Sequence, residues 1–302
     1  MLKSNMPLKV TTSQVGCLVV ILAFCCVASC FAAGPAPNES AESSSTPAAV
    51  LLDTGFRNLY ELNFQRARAD FLSYQQRNPA DAMGAAAEAA SYLYEQFNAK
   101  GIFSSQFFLN DDKFLHGADG TAAENCNTPF LDANHRARAM AKQTLKSEPN
   151  NAHALLVLTM ADGMESDYDA MIVKKQMAGL GLMRQAEAEA AKLLAADPDA
   201  KDAYLALGAS NYVIGNLSGF KRTFLWFGGI HGDKDRGIQQ MQLAAEHGHY
   251  LRPFAKIMLA LAYEREHQKD LARPLLTSLV DEFPANPLYA HELSLIDHPA
   301  EP

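Results

Sequence analysis

The sequence predicts an all-α protein, arranged as an α-solenoid of about five irregular antiparallel helix pairs. From residue 51 onward it shows no convincing strand alternation and few β-branched runs. Long stretches rich in Ala, Leu, Glu and Gln instead place apolar residues at helical spacing. Several predicted helices also end alike, with a polar last turn and then Pro79, Pro149, Pro198 or Pro284. Such recurrent helix ends indicate a repeated helical unit.

The N-terminus has the pattern of an export signal. Lys3 and Lys9 precede an apolar run over residues 15–27, and small residues without acids follow. We therefore predict a signal peptide over residues 1–29. The mature protein is expected in the periplasm or anchored at the outer membrane of a bacterial cell envelope.

Cys30 is a candidate for lipid modification. Residues 27–30 read Val-Ala-Ser-Cys, which resembles a bacterial lipobox, where cleavage leaves a lipid-bearing cysteine. Cleavage near Ala32 or Ala33 without a lipid is one alternative. An uncleaved anchor over residues 15–33 is another, because this run approaches the ~20 residues that span a bilayer. Contact with a membrane is expected only through this anchor or segment.

A tether is predicted over residues 30–48 and a folded domain over residues 49–296. Residues 34–47 are rich in Gly, Pro, Ala and Ser without periodicity, so they cannot bury apolar surface. Four of the five cysteines precede this stretch, which leaves only Cys126 in the folded part. No disulfide framework is therefore expected within the domain.

Composition argues against nucleic acid as a partner. The formal net charge is −8, and no cluster of Lys and Arg occurs anywhere in the chain. Phosphate neutralisation needs a basic face. The hydrophobic fraction of 48% is ordinary for a globular protein.

The helical part resembles the tetratricopeptide-repeat superfamily, whose unit of ~34 residues contains two helices with small residues where they pack. Counting back from Pro79 places Gly55, Ala67 and Phe71 where the family pattern has Gly, Ala and Phe. The corresponding positions of later units hold Ala137, Ala141, Ala186, Ala190, Gly208, Tyr263 and Ala272. The Trp of a strong repeat is absent. The resemblance covers residues 51–295 and implies a protein that binds partners in a concave groove.

The intervals between the helix-ending prolines exceed whole repeat units, so the chain carries insertions. They are predicted at residues 99–131, 163–181 and 215–233. The second is expected to be a long loop or a helix extension, and the helix after the first is expected to begin near Asn134. Around the third, the chain resembles the eukaryotic inclusion-body-clearance and tetratricopeptide-39 family. The matching residues are Gly232, Asp233, Gly237, Ile238 and Tyr263. This resemblance implies an interaction protein, with no chemistry to transfer.

The first helices of the pairs are expected to line an apolar groove, because that is their place in tetratricopeptide arrays. The candidate partner-binding positions are Phe56, Tyr60, Met83, Tyr94, His153, Met160 and Tyr212. Met and Tyr side chains suit a protein helix or an apolar peptide segment, which makes an envelope scaffold or adaptor the leading hypothesis. A lipid-like ligand, with a part in outer-membrane assembly or lipid handling, is the second. Alternatively, the insertions fill the groove.

The insertions contain clusters of aromatic residues. We predict that Phe107, Phe108, Phe224, Trp226 and Phe227 form a surface for a partner or membrane. The alternative is a satellite core packed against the helices.

No enzymatic motif is present, and we predict neither a catalytic site, a cofactor nor a metal. His247 and His249 lack the i, i+4 spacing of a zinc helix, and the acids around Asp111 lack calcium-loop spacing. Carboxylates from different helices could still converge in the groove, so an enzyme remains the third hypothesis.

Overall fold

The computed structural model describes residues 47–110, 113, 116–118, 124–216 and 231–298. The predicted signal peptide, Cys30, nearly all of the tether, and Phe224, Trp226 and Phe227 lie outside this part. Within it the chain is helical and contains no strand. The first helix begins at Pro47, so the last two residues of the predicted tether belong to the folded domain.

The described residues form twelve α-helices and one π-helix. The helices are α1 (Pro47–Tyr60), α2 (Phe64–Arg77), α3 (Ala82–Ala99), α4 (Ser105–Phe108), α5 (Glu124–Ser147), α6 (Ala152–Asp167), the π-helix (Tyr168–Val173), α7 (Gln176–Ala196), α8 (Ala203–Gly215), α9 (Lys234–His247), α10 (Arg252–Arg265), α11 (Lys269–Glu282) and α12 (Pro287–Asp297).

The predicted helix ends are confirmed. Helices α2, α5, α7 and α11 each stop one or two residues before a proline of the repeated pattern. After three of these prolines an Asp or Asn side chain caps the next helix by accepting from a backbone N–H. These bonds are Met83 N–H to Asp81 (2.8 Å), Ala154 N–H to Asn151 (2.9 Å) and Leu288 N–H to Asn286 (2.9 Å). The proline thus ends one helix, and a residue two positions on starts another.

The long helices pack in consecutive pairs. The pairs are α1 with α2, α3 with α5, α6 with α7, α8 with α9, and α10 with α11, and α12 lies on α11. The first helices of successive pairs also contact one another, α1 with α3, α3 with α6 and α6 with α8. They form an inner layer, and the second helices lie outside it.

Small residues set how closely paired helices approach. Ala67, Ala137 and Ala190 are fully buried between helices. The tightest crossing joins α8 and α9, where a Cβ on Gly208 would lie 2.9 Å from the Gly237 carbonyl oxygen. A Cβ on Gly237 would in turn lie 2.8 Å from the Gly208 carbonyl oxygen. Only glycine allows the two backbones this close.

The inner layer closes on itself, because α1 contacts the C-terminal pairs. The Tyr60 hydroxyl donates to the Tyr250 carbonyl (2.8 Å), and the Asn286 side-chain amide donates to the Tyr60 carbonyl (2.8 Å). The rings of Phe56 and Tyr250 stack with centroids 4.7 Å apart. The first and last pairs are therefore joined directly.

Helix α4, in the described part of the first insertion, packs into the interior. Phe107 and Phe108 of α4 are buried, and the Arg265 guanidinium donates to the Phe108 carbonyl (2.6 Å). The Ser105 N–H donates to the Glu292 carboxylate (3.1 Å). These aromatic residues therefore belong to the core rather than to an exposed insertion surface.

The second insertion takes one of its two expected forms, a helix extension, whereas the start of α5 differs from its expected position. Helix α5 begins at Glu124, well before Asn134, and runs through Pro129. The second insertion extends α6 into the π-helix, which ends at Lys174 in the left-handed region (φ 63°).

Candidate binding cavity

A cavity of about 590 Å³ lies inside the inner layer. Its wall comes from α1, α3, α6, the π-helix, α7, α8 and α10, together with residues near α4. It reaches solvent at the start of α7, where Gln176 is exposed and Met177 is 71% exposed. The contact between Tyr60 and Tyr250 joins the two ends of the helix layer around this space.

The wall is mostly apolar, and sulfur and aromatic rings dominate it. Six of the eleven methionines line the cavity: Met160, Met164, Met171, Met177, Met183 and Met258. The lining aromatic residues are Phe56, Tyr60, Tyr94, Phe97, Phe103, Phe108 and Phe254. Unbranched thioether side chains adapt to ligands of different shape. The wall therefore suits an apolar ligand of variable outline.

Polar groups are few, and several are already engaged. The Thr159 hydroxyl donates to the Leu155 carbonyl (2.9 Å), and the Ser166 hydroxyl donates to the Gly179 carbonyl (2.8 Å). The remaining polar lining residues are His116, Asp167 and Gln176. No Lys or Arg occurs among the described lining residues.

Asp167 is the one acidic residue among those described in the wall. It ends α6, and its carboxylate has no hydrogen-bond or ion-pair partner within the described part of the chain. Burial raises its pKa from 3.8 to about 7, because the apolar surroundings disfavour the charged form. A carboxyl group in this position changes its charge near neutral pH.

The π-helix shapes the wall next to Asp167. The Ala118 N–H donates to the Met171 carbonyl (2.8 Å), which pins the short segment 116–118 against the π-helix. Gly117 adopts φ 85°, and a Cβ there would lie 2.8 Å from two π-helix carbonyl oxygens. His116 and Met171 both line the cavity. π-Helical turns often occur at functional sites.

Gly163 leaves part of the cavity empty. It lies in α6 and lines the cavity, and a Cβ added to it would meet no atom within 4 Å. A larger side chain at this position would therefore project into open space. Gly181 in α7 also has nothing within 4 Å, but it is exposed and does not line the cavity.

The structure brings together four of the seven predicted groove residues. Phe56, Tyr60, Tyr94 and Met160 line the cavity, whereas Met83, His153 and Tyr212 do not. Met83 is fully buried, and the Tyr212 hydroxyl contacts the Ala262 carbonyl and the Glu266 carboxylate (both 3.4 Å). Of the predicted insertion surface, Phe108 lines the cavity and Phe107 is buried elsewhere.

Sequence reasoning missed Asp167, although a pattern could have found it. Met160, Met164, Asp167 and Met171 are spaced four, three and four residues apart, which places them on one helix face. The face continues past Met164, within the predicted insertion over residues 163–181, because α6 runs on into the π-helix.

His153 takes part in a separate polar cluster. Its Nε2 lies 2.7 Å from the Asp81 carboxylate, which also accepts from the Tyr74 hydroxyl. Burial alone would raise the pKa of Asp81, but the hydrogen bonds from His153, Tyr74 and Met83 outweigh it and lower the pKa to about 2. The bond to Asp81 raises the pKa of His153. This cluster ties α6 to the start of α3.

The described residues contain no group of three His, Cys, Asp or Glu side chains arranged to hold a metal ion. His249 lies 3.2 Å from the Asp53 carboxylate, and its ring stacks on Tyr250. None of the described helices has both the length and the apolar character needed to cross a bilayer. No protein-family model matches the chain, and no curated protein matches it.

Proposed function

We propose that this protein binds one apolar small molecule, of lipid-like character, in the cavity inside its inner helix layer. The observation that carries the proposal is a cavity of about 590 Å³ with a methionine-rich and aromatic wall. This volume falls within the roughly 300–1,000 Å³ typical of small-molecule sites. Such an apolar space is stable in water when it is enclosed or occupied.

The shape of the site favours a small molecule over a protein segment. An adaptor groove must be open along its length, whereas the contacts of Tyr60 with Tyr250 and Asn286 join the two ends of the inner layer. An extended peptide would also bring backbone N–H and C=O groups that need partners. The wall offers few, since the Thr159 and Ser166 hydroxyls are engaged.

We further propose that the fold is a tetratricopeptide-like solenoid of five helix pairs. The positions aligned with the family pattern support this, since Ala67, Phe71, Ala141, Ala190 and Ala272 are all fully buried at helix crossings. The regular succession of helix, proline and Asx cap supports it too. The N-terminal sequence adds the expectation of export, so the ligand would be met in a cell envelope.

The test uses leucine at two glycines of comparable backbone environment. Gly163→Leu fills the cavity, and Gly181→Leu places the same side chain on the exposed face of α7. The mature wild-type protein and both variants are titrated with N-phenyl-1-naphthylamine, an uncharged probe that fluoresces in apolar sites. We expect one probe per wild-type chain and at least a roughly tenfold weaker dissociation constant for Gly163→Leu, equivalent to about 1.4 kcal/mol.

The Gly181→Leu variant is expected to bind the probe as the wild type does, and circular dichroism checks that both variants remain helical. Equal binding by Gly163→Leu and the wild type would exclude the cavity as the site. Failure of the wild type to bind the probe would contradict the proposed function.

A further inference from the structure

Asp167 is unusual in its position, because burying an ionised carboxylate without a partner in an apolar wall costs free energy. Its neighbours in the cavity include Met164, Met171 and Tyr94, and burial is the sole cause of its raised pKa. No charge on a described neighbouring residue therefore offsets it. The group is also not needed to hold the fold, since it bonds to nothing within the described residues.

The acids next to Asp167 in sequence behave differently. Glu165 receives a hydrogen bond from the Arg138 guanidinium (2.6 Å) and another from Asn134 (3.0 Å). Asp169 lies on the π-helix and does not line the cavity; burial and the charge of Glu165 raise its pKa, and the charge of Lys175 opposes the rise. Of these three acids, only Asp167 both lines the cavity and has a carboxylate without a hydrogen-bond or ion-pair partner among the described residues.

Aromatic rings surround the same space. Tyr94 lies 5.1 Å from Phe103 and 5.4 Å from Phe254, measured between ring centroids, and all three line the cavity. The charge on Asp167 acts on Tyr94, which places the two side chains in the same part of the wall. Aromatic faces attract cations, and the attraction grows when water is excluded.

We propose that Asp167 makes the cavity selective for amines, so that the ligand is an apolar molecule bearing one protonated amino group. The ammonium ion-pairs with the Asp167 carboxylate, while the hydrocarbon part lies against the methionine and aromatic side chains. This inference rests on the proposed function and specifies the ligand class of the same cavity.

The charge of the wall favours an ammonium over a carboxylate or an alcohol as the polar group of the ligand. A fatty acid would bring a second carboxylate to a wall in which no described residue is Lys or Arg, and like charges at close range repel. An alcohol could form one hydrogen bond with Asp167 but would leave its charge uncompensated. An ammonium supplies both the hydrogen bonds and the opposite charge.

The ion pair between the ligand ammonium and the Asp167 carboxylate should make binding depend on pH. Binding an ammonium requires the ionised carboxylate, and the pKa of Asp167 in the free protein is about 7. Affinity for the amine is therefore expected to fall as the pH drops below 7. The other titratable groups in the wall are His116, Tyr60 and Tyr94, and the two tyrosines stay neutral because burial raises their pKa values.

The experiment compares three ligands of equal chain length, octylamine, octan-1-ol and octanoate, by calorimetric titration of the mature protein at pH 8. The variants are Asp167→Asn and, as a matched control, Asp169→Asn, which removes the same charge two residues away outside the cavity. We expect octylamine to bind most tightly. Asp167→Asn should weaken octylamine roughly 30-fold, as for other buried charge pairs, and leave octan-1-ol within about threefold.

Three further results are decisive. Asp167→Asn should also abolish the loss of octylamine affinity between pH 8 and pH 6, because the titrating carboxyl group is gone. Equal affinities of the three ligands, or unchanged octylamine binding by Asp167→Asn, would overturn amine selectivity while leaving cavity binding intact. Equal weakening by Asp169→Asn would mean that octylamine is held by general surface charge, which also overturns the inference.

Discussion

The hydroxyl of Tyr60 donates a 2.8 Å hydrogen bond to the carbonyl of Tyr250, although the two residues lie 190 positions apart in the chain. The Tyr60 carbonyl in turn accepts from Asn286 (2.8 Å). One residue at the end of α1 thus binds the segments that precede both α10 and α12. This contact joins the two ends of the helix layer that surrounds the cavity.

Tyr60→Phe is expected to weaken the closing contact. The substitution keeps the ring but removes the hydroxyl, which leaves the Tyr250 carbonyl without this donor and lowers the free energy of unfolding by about 1–2 kcal/mol. Urea denaturation measures this loss, and amide hydrogen exchange should rise first in α1 and α12. Tyr263→Phe, which removes a hydroxyl bonded to Gln242 (2.6 Å) away from the closing contact, is the control. Identical exchange patterns in the two variants would show that the Tyr60 bond does not hold the ends together.

Gly237→Ala is expected to destabilise the crossing of α8 and α9. The new methyl carbon would lie 2.6 Å from the Tyr212 backbone nitrogen and 2.8 Å from the Gly208 carbonyl oxygen, and backbone atoms cannot rotate away. Overpacking of this kind costs about 1–3 kcal/mol. Gly181→Ala, at an exposed helical position with nothing nearby, should instead stabilise by up to about 1 kcal/mol. Thermal unfolding of both variants should show a lower melting temperature than the wild type for Gly237→Ala and a higher one for Gly181→Ala.

The pair of His153 and Asp81 should make stability depend on pH. The raised pKa of His153 means that its contribution is complete below the unfolded value of 6.5 and is lost as the pH rises through the folded value. The lowered pKa of Asp81 means that its contribution is present above 3.8 and is lost as the pH falls toward about 2. The wild type should therefore exceed His153→Gln most clearly between about pH 4 and 6.5.

Because half of the His153 side chain is exposed, the difference is expected to stay below about 1 kcal/mol. Chemical denaturation of the two proteins from pH 3 to pH 9 measures it. A constant difference across this range would show that the ionic contact contributes nothing.

Glu264→Gln is expected to stabilise the protein at alkaline pH. Burial raises the pKa of Glu264 from 4.5 to about 7, Glu292 adds to the rise, and Lys269 opposes it. The ionised form is thus penalised in the folded state, with no penalty below pH 4.5 and the full penalty above about pH 7. Glutamine removes up to about 3 kcal/mol of this penalty at pH 8 and little at pH 4. Chemical denaturation of the wild type and Glu264→Gln at pH 8 and pH 4 measures the difference in their free energies of unfolding. Greater stabilisation by the substitution at pH 4 than at pH 8 would contradict the raised pKa of Glu264.

Local features of this fold could be predicted from the sequence. The polar turns before Pro79, Pro149, Pro198 and Pro284 mark real helix ends, because proline cannot continue a helix. The beginning of α5 could not be found this way, since Pro129 indicates a break and the helix runs through it. Local rules gave the order of helices but not every boundary.

The cavity could not be predicted from local sequence patterns alone. Phe56, Tyr60, Tyr94 and Met160 line the cavity, and helix register accounts for their position on the inner layer. Tyr212 was misplaced, since it packs toward Glu266 rather than into the cavity. Whether α1 reaches the C-terminal pairs depends on the rotations between all successive helix pairs added together. A small error in each predicted crossing angle would therefore change the prediction of this contact.

The contact between the first and last helix pairs also bears on how the molecule unfolds. In an open solenoid the terminal repeats touch one neighbour each, so the stack frays from its ends and stability is close to a sum of local contributions. Here Tyr60 and its partners give each terminal pair a second neighbour. Fraying at either end must therefore break contacts at the other, and the helix pairs should unfold together in one cooperative transition.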